Sequence, residues 1–357
     1  MKILVASDKW KGSLSATAAC SAMRRGLADV WPGAEILECP IADGGEGTAE
    51  ALASACGGRW RDHRVSGPLG DPVDAGYALL PDGTAVIEMA AAAGLVLTRG
   101  LLLPWQATTR GVGELMADAA SQGARRIIVG LGGSATNDGG AGMASALGWR
   151  FDALPIASKV TGRPDAPWTL ETLAACDVTN PLLGPRGCTR VFGPQKGVCE
   201  ADMPAFEQAL AGLAGAFPPE IALVPGAGAA GGLGFGLMAF CGACIVSGFG
   251  IVADLLRLEH HVAQADLVVT GEGSLDDQTL DGKGPHGVAA LARRHRKPVV
   301  GVGGRVAGDA VSAFDLALAA SPPGLPLAEA MRRAPELIGT ALREAATALR
   351  ALVRPGS

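Results

Sequence analysis

Apolar residues fall in short runs along this chain, and most of these runs end in a polar, glycine-rich loop. Residues 2–7, 34–39, 126–131, 267–270, 297–301 and 314–319 read as strands, because each is a brief aliphatic run without helical periodicity. Between them, apolar positions recur at helical spacing. Ala18, Met23, Leu27 and Val30 give one core face to a helix that Ser15 caps and that runs to about Val30. Further helices are expected over 46–55, 106–122, 203–216 and 326–352, with another ending at Leu147. Residues 58–94 have a different texture. Pro68, Gly70 and Pro72 break the chain, and Pro81-Asp82-Gly83 turns it between two alternating runs. That pattern predicts antiparallel strands ending at Val86-Ile87-Glu88.

Regular strand–helix alternation at both ends, with a different middle, predicts an α/β protein with an inserted domain. A Rossmann- or flavodoxin-like parallel-sheet domain is expected from residues 1–62 plus 258–357. A second, mixed-sheet α/β domain is expected from residues 63–257.

Composition narrows the class. The 357 residues are 48% hydrophobic, with 52 glycines and only 4% aromatics, which suits an α/β core of Ala, Val and Leu with many tight turns. The formal net charge is −5. No basic stripe predicts nucleic acid as a partner, and no polybasic segment predicts a membrane surface. Residues 221–253 carry no charge but are dense in glycine, so they predict a buried loop and helix rather than a membrane span. Eight cysteines are scattered, and the one C-x-x-C, Cys241 with Cys244, has no second pair at zinc spacing. They are expected as core thiols in a reducing cytoplasm. The opening MKILVAS is too short in its apolar part for a signal peptide and reads as a first strand.

The chemistry concentrates in residues 266–287. The strand Leu267-Val268-Val269-Thr270 is expected to break into a loop at Gly271-Glu272-Gly273. Glu272, Asp276, Asp277 and Asp281 follow, Lys283 lies between two glycines, and a helix starts near Pro285. Open α/β sheets place ligands at such strand ends. Glycines let backbone N–H groups approach an anion, and a lysine adds charge beside them. The carboxylates suit either Mg²⁺ or a hydroxyl proton. The same stretch also reads as a solvated turn.

Four other polar loops resemble it, at 8–13, 43–48, 132–140 and 193–197. The five loops together offer Lys11, Lys196 and Lys283 as cations, and Asp43, Glu46, Asp138, Glu272 and Asp276 as anions. Phosphate-cradling loops plus carboxylates form the inventory of phosphoryl transfer, although no G-x-x-x-x-G-K-[ST] motif is present. Of five histidines only His286 lies in a candidate site, so proton chemistry falls to carboxylates or lysine. Asp43 follows a strand and precedes two glycines, so it is expected to face the crevice as a catalytic or substrate-holding carboxylate; it stands equally where an N-cap of the next helix would. Glu272 and Asp276, four apart, suit Mg²⁺. A competing reading comes from Gly226-x-Gly228-x-x-Gly231 with Asp254, which matches the dinucleotide fingerprint of an NAD-dependent oxidoreductase.

Several segments carry a wider likeness: Lys11-Gly-Ser-Leu-Ser-Ala16, Pro40-Ile-Ala-Asp-Gly-Gly-Glu-Gly-Thr48, Gly130-Leu-Gly-Gly-Ser-Ala-Thr-Asn-Asp-Gly-Gly140, Cys176-Asp-Val-Thr-Asn-Pro-Leu182, Phe192-Gly-Pro-Gln-Lys-Gly197, Gly228-Ala-Ala-Gly-Gly-Leu-Gly234, and Thr270-Gly-Glu-Gly273 with Asp276, Gln278, Gly282 and Lys283. In this order they resemble the glycerate kinase family of bacterial glycerate and glucarate catabolism. The resemblance implies two α/β domains with the active site in the cleft between them. It implies ATP with Mg²⁺, and D-glycerate phosphorylated at its 2-hydroxyl to 2-phosphoglycerate. Asp43, Lys11 and Asp276 are then expected as catalytic residues, and Glu272 with Asp276 as metal ligands. Ser13, Gly44, Gly45, Gly133, Ser134, Asn137, Asp138, Gln195, Lys196, Gly273 and Lys283 are expected to bind substrate or nucleotide. The enzyme is expected as a monomer or homodimer. Phosphorylation of another small hydroxy acid, transfer to the 3-position of glycerate, and a non-catalytic ligand sensor on the same fold are the alternatives.

Overall fold

A computed structural model describes residues 1–277, 279 and 284–353. Along the chain the strands are β1 (Lys2–Ser7), β2 (Glu35–Glu38), β3 (Arg59–Ser66), β4 (Pro72–Leu79), β5 (Thr84–Glu88), β6 (Arg126–Gly130), β7 (Arg150–Phe151), β8 (Val160–Gly162), β9 (Glu171–Ala175), β10 (Cys244–Val246), β11 (Leu267–Leu275), β12 (Val299–Val306) and β13 (Leu316–Ala319). The chain divides into two compact units, residues 1–43 with 249–357, and residues 44–248.

The first unit is a parallel sheet in the order β13-β12-β11-β1-β2. Numbered within the unit, that is the flavodoxin-like order 2-1-3-4-5, whose direction reverses between β1 and β11. Helices cover the sheet, so central strands are buried on successive residues: Leu267, Val268 and Val269 are all inaccessible, as are Val5 and Ala6. Ser15 caps the helix Ala16–Val30 by accepting from the Ala18 N–H at 3.2 Å, and Ala19, Cys20, Met23 and Leu27 turn inward. That helix packs beside Ala334–Glu344, and Gly284–Arg294 packs on β1, β11 and β12. The expected single helix over 326–352 is three shorter ones.

The second unit holds the mixed sheet β10-β9-β6-β5-β4-β3 and a small β7–β8 pair. Strands β3 to β5 are antiparallel, as their alternating pattern predicts, and β5, β6, β9 and β10 are parallel. The edge strand β3 is charged and exposed along most of its length, which blocks pairing with another chain.

Two expectations move. The inserted unit spans 44–248 rather than 63–257. The helix Thr48–Cys56, expected with the parallel sheet, packs instead on β3, β4 and β5, so the chain changes units at Asp43. The uncharged stretch resolves into the helix Ala229–Cys241, strand β10 and the helix Gly248–Leu255. No helix among the described residues is long and apolar enough to cross a membrane. All eight cysteines are free thiols; Cys20, Cys39, Cys188 and Cys241 are buried, whereas Cys199 and Cys244 are exposed.

Candidate active site

In the first unit the reversal of strand order opens the carboxyl ends of β1 and β11 to a ligand. Hydrogen bonds lock these ends together. The Asp8 N–H donates to the Gly271 carbonyl at 2.9 Å, and the Ser7 hydroxyl donates to the same carbonyl at 2.8 Å. The Thr270 hydroxyl donates to the Ala6 carbonyl at 2.6 Å.

Strand β11 does not break at Gly271, contrary to the sequence-based expectation. It continues to Leu275, with Glu272 opposite Gly303 and Ser274 opposite Arg305 on β12. The glycines read as breakers, but an extended neighbour supplies hydrogen bonds to their backbone. Glu272 and Ser274 therefore share one face of a strand and inherit its rigidity. Past the strand, Thr279 ties the acidic groups together. The Asp276 N–H donates to the Thr279 hydroxyl oxygen at 3.1 Å, and that hydroxyl donates to Glu272 Oε1 at 2.8 Å. The Ser274 hydroxyl donates to Asp276 Oδ2 at 2.9 Å.

Asp8, which sequence reasoning did not single out, is buried at the end of β1 with 6% exposure. Its Oδ1 accepts from the Lys9 N–H at 2.6 Å. Gly284, the first residue of its helix, lies against Oδ2: a Cβ there would come within 2.9 Å of that oxygen. Lys9 reaches across to Asp43, with Nζ 3.7 Å from Oδ1. Burial pushes the Asp8 carboxyl up to about 6; Lys9 opposes the shift and Asp43 adds to it. Burial likewise pushes Glu272 up to about 7, against the Thr279 hydroxyl, with Asp8, Asp276 and Asp43 adding to it. Asp8 and Glu272 thus lie within the field of neighbouring carboxylates, a mark of sites built for charged ligands.

Asp43 is not the cap of the following helix. Gly47 holds that position in a left-handed conformation, and the helix has no side-chain cap. Lys11 is exposed. Ser13 spends its hydroxyl on the Met331 carbonyl at 2.7 Å, anchoring the loop. Gly273 packs against the backbone of Trp10 and Lys11. Lys283, with Gln278, Asp281 and Gly282, lies outside the described residues.

The chain matches the glycerate kinase family over residues 3–352. It is 42% identical over 374 residues to glycerate kinase of Bacillus subtilis (strain 168), covering 98% of each chain. The chain belongs to the glycerate kinase family. It is 44% identical over 329 residues to glycerate 2-kinase of Escherichia coli (strain K12), covering 87% of this chain and 86% of that one. A solved structure from Salmonella typhimurium LT2, provisionally described as glycerate kinase 2, superposes with a TM-score of 0.87 at 41% identity, covering 98% of both chains. Membership makes this protein a kinase, with ATP as its phosphoryl donor.

The other residues expected to bind substrate or nucleotide lie in the second unit. Gly44 and Gly45 pack against residues at the carboxyl ends of β6 and β9. Gly133 and Gln195 are exposed, and Ser134 is buried. Three polar residues are locked inside. Asp138 accepts from the Thr109 N–H and hydroxyl, both at 2.8 Å, and from the N–H groups of Gly140 and Gly142. Burial still raises its pKa. Asn137 donates to the Thr189 hydroxyl at 2.9 Å. Lys196 is 2% exposed and donates to the Thr136 carbonyl at 2.7 Å; burial pushes its pKa down to about 8. This network shapes the 132–140 loop from within. Lys196→Ala is expected to destabilise the protein by about 2–4 kcal/mol, through lost packing and an orphaned carbonyl. KM values of the folded protein should stay within about threefold. Chemical denaturation with parallel kinetics checks this; an equally stable variant with much weaker substrate binding would place Lys196 at the substrate instead.

The dinucleotide fingerprint is accounted for by packing. Gly226 packs against the side chains of Ile245 and Cys176, and Gly228 and Gly231 lie against the carbonyls of Pro181 and Thr136, leaving no space for a pyrophosphate. Ala230, Gly231 and Gly232 form a left-handed turn at the start of a helix that follows no strand.

Besides Asp8, sequence reasoning passed over Lys9, Ser274 and Thr279. The signal for Asp8 was present, because it follows an apolar strand immediately, more directly than Asp43 does.

Proposed function

We propose that this protein is a glycerate 2-kinase, moving the γ-phosphoryl group of ATP to the 2-hydroxyl of D-glycerate. The carrying observation is the carboxylate cluster Asp8, Asp43, Glu272 and Asp276, with Lys9 among them, at the switch point of the parallel sheet. The likeness to the E. coli protein named glycerate 2-kinase supports the position of transfer.

Among the described residues no three His, Cys, Asp or Glu side chains stand together as a ready-made metal cage. Mg²⁺ needs none. It is characteristically held by one or two carboxylates, with waters and phosphate oxygens completing the shell. Glu272 and Asp276 supply hard oxygens, each braced by a hydroxyl donor, and so fit that ion. Bound there, Mg²⁺ would offset the charge of the phosphates. The rest falls to the chain. Lys11, exposed in the loop after β1, is available to an anionic substrate or phosphate. Asp43 and Lys9 present opposite charges side by side and would hold the substrate's hydroxyl and carboxylate groups in register.

An assay coupling ADP release to a recorded signal tests the substrate class. D-glycerate should support turnover at least tenfold better in kcat/KM than L-glycerate or D-lactate. A stronger response to another hydroxy acid would move the reading to that substrate.

A further inference from the structure

Asp8 is the one buried carboxylate of the cluster that the proposed roles leave unused. Its backbone is fixed by β11, through the bond from its N–H to the Gly271 carbonyl. Its Oδ1 is spent on the Lys9 N–H. Its Oδ2 accepts no hydrogen bond among the described residues, although the side chain is more than nine-tenths buried. Oδ2 is not one of the fully enclosed atoms left without a partner, so a ligand can reach it, and a free acceptor on an otherwise buried side chain is placed to take that ligand's proton. Two structural readings can be set against this. Asp8 is not the cap of Gly284–Arg294, because no N–H of that helix bonds to it, even though Gly284 sits flush against Oδ2. Nor is it half of an ion pair among the described residues, since the nearby Lys9 ammonium is directed to Asp43.

We infer that Asp8 is a catalytic residue, whose Oδ2 takes the proton of the substrate hydroxyl as phosphoryl transfer proceeds. This rests on the kinase reading above. The balance is simple. The substrate oxygen bonds to the γ-phosphorus, and its proton passes to Asp8. The bond between the γ-phosphorus and the β,γ-bridging oxygen breaks, ADP leaves with that electron pair, and Asp8 later releases the proton to water. Asp43, paired with Lys9, is then a holding group rather than the base, and the two carboxylates should fail in different ways when altered.

Asp8→Asn keeps the shape and removes the proton acceptor. In steady-state kinetics with ATP, Mg²⁺ and D-glycerate, kcat should fall about 10²-fold or more, with both KM values within about threefold. The melting temperature should hold or rise, because a buried charge is removed. A second variant, Asp8→Ala, opens space beside Oδ2. Formate added to it should raise kcat at least about tenfold, while formate should do nothing for Asp43→Asn. The inference is overturned if Asp8→Asn keeps kcat within about fivefold of wild type. It is also overturned if activity and melting temperature fall together and formate restores nothing, the result expected of a structural anchor. Wild-type protein in the same assay separates the two claims. Transfer to a different hydroxyl would contradict the 2-kinase reading and leave the Asp8 comparison valid, since either hydroxyl must lose its proton.

Discussion

Glu272→Gln should lower kcat/KM by about 10²- to 10³-fold and, at pH 8, raise the melting temperature of the nucleotide-free protein. The two effects have one cause. Glu272 is partly buried beside three other carboxylates, so the folded protein holds its proton up to about pH 7, against an ordinary value of 4.5. A carboxyl whose folded pKa is raised stabilises the fold most when protonated. Its contribution is fully present below 4.5 and is lost as pH rises to about 7. Asp8 behaves alike between 3.8 and about 6. Above pH 7 the ionised Glu272 therefore destabilises the protein by about 1–3 kcal/mol, after allowance for its partial exposure. Glutamine removes that penalty and flattens the loss of stability between pH 4.5 and 7. Mg²⁺ should narrow the gap between wild type and variant at pH 8, because a cation at the carboxylates offsets their repulsion. Thermal melts across pH, with and without Mg²⁺, read this directly. A variant with wild-type kinetics and an unchanged melting profile would remove Glu272 from the site.

Asp43→Asn should lower kcat/KM for D-glycerate by about 10²-fold, mainly through KM, with little change in melting temperature. Losing a charged hydrogen bond to substrate is worth about 1.5–3 kcal/mol, which matches that factor. The stability side follows from the fold. Gly47, not Asp43, stands at the start of the next helix, so no cap is lost. The Lys9–Asp43 pair spans 3.7 Å with both side chains about a quarter to a third exposed, and pairs of that kind add little. A stable variant with unaltered KM and kcat would exclude Asp43 from substrate contact. A fall in kcat alone would exchange the roles assigned to Asp8 and Asp43.

Much of this architecture is written in local patterns. Leu267, Val268 and Val269 form an unbroken apolar run because both faces of a central parallel strand are covered, and that run marks the sheet's middle without any alignment. Ser15 announces its helix by the cap it makes. The hairpin of β4 and β5 follows from alternation around Pro81-Asp82-Gly83. Strand β9 is less legible, because three of the five residues of Glu171–Ala175 are alanine or glutamate and it owes its conformation to pairing with β6 and β10. The continuation of β11 past Gly273 is hidden for the same reason, since glycine alone signals a turn and only the partner strand overrides it. At the site, the anions of the first unit were readable from their place after strands. The buried residues Asp138 and Lys196 look identical to ligand-facing ones in sequence, because a polar residue in a glycine-rich loop can turn either outward or into a network.

The central claim is the position of phosphoryl transfer. Phosphorus NMR of the product formed from ATP, Mg²⁺ and D-glycerate tests it most directly. The account predicts 2-phosphoglycerate, formed at the rate of ADP release and lost together with it in Asp8→Asn. Accumulation of 3-phosphoglycerate as the main product, or ATP hydrolysis to inorganic phosphate without a phosphorylated acid, would contradict it.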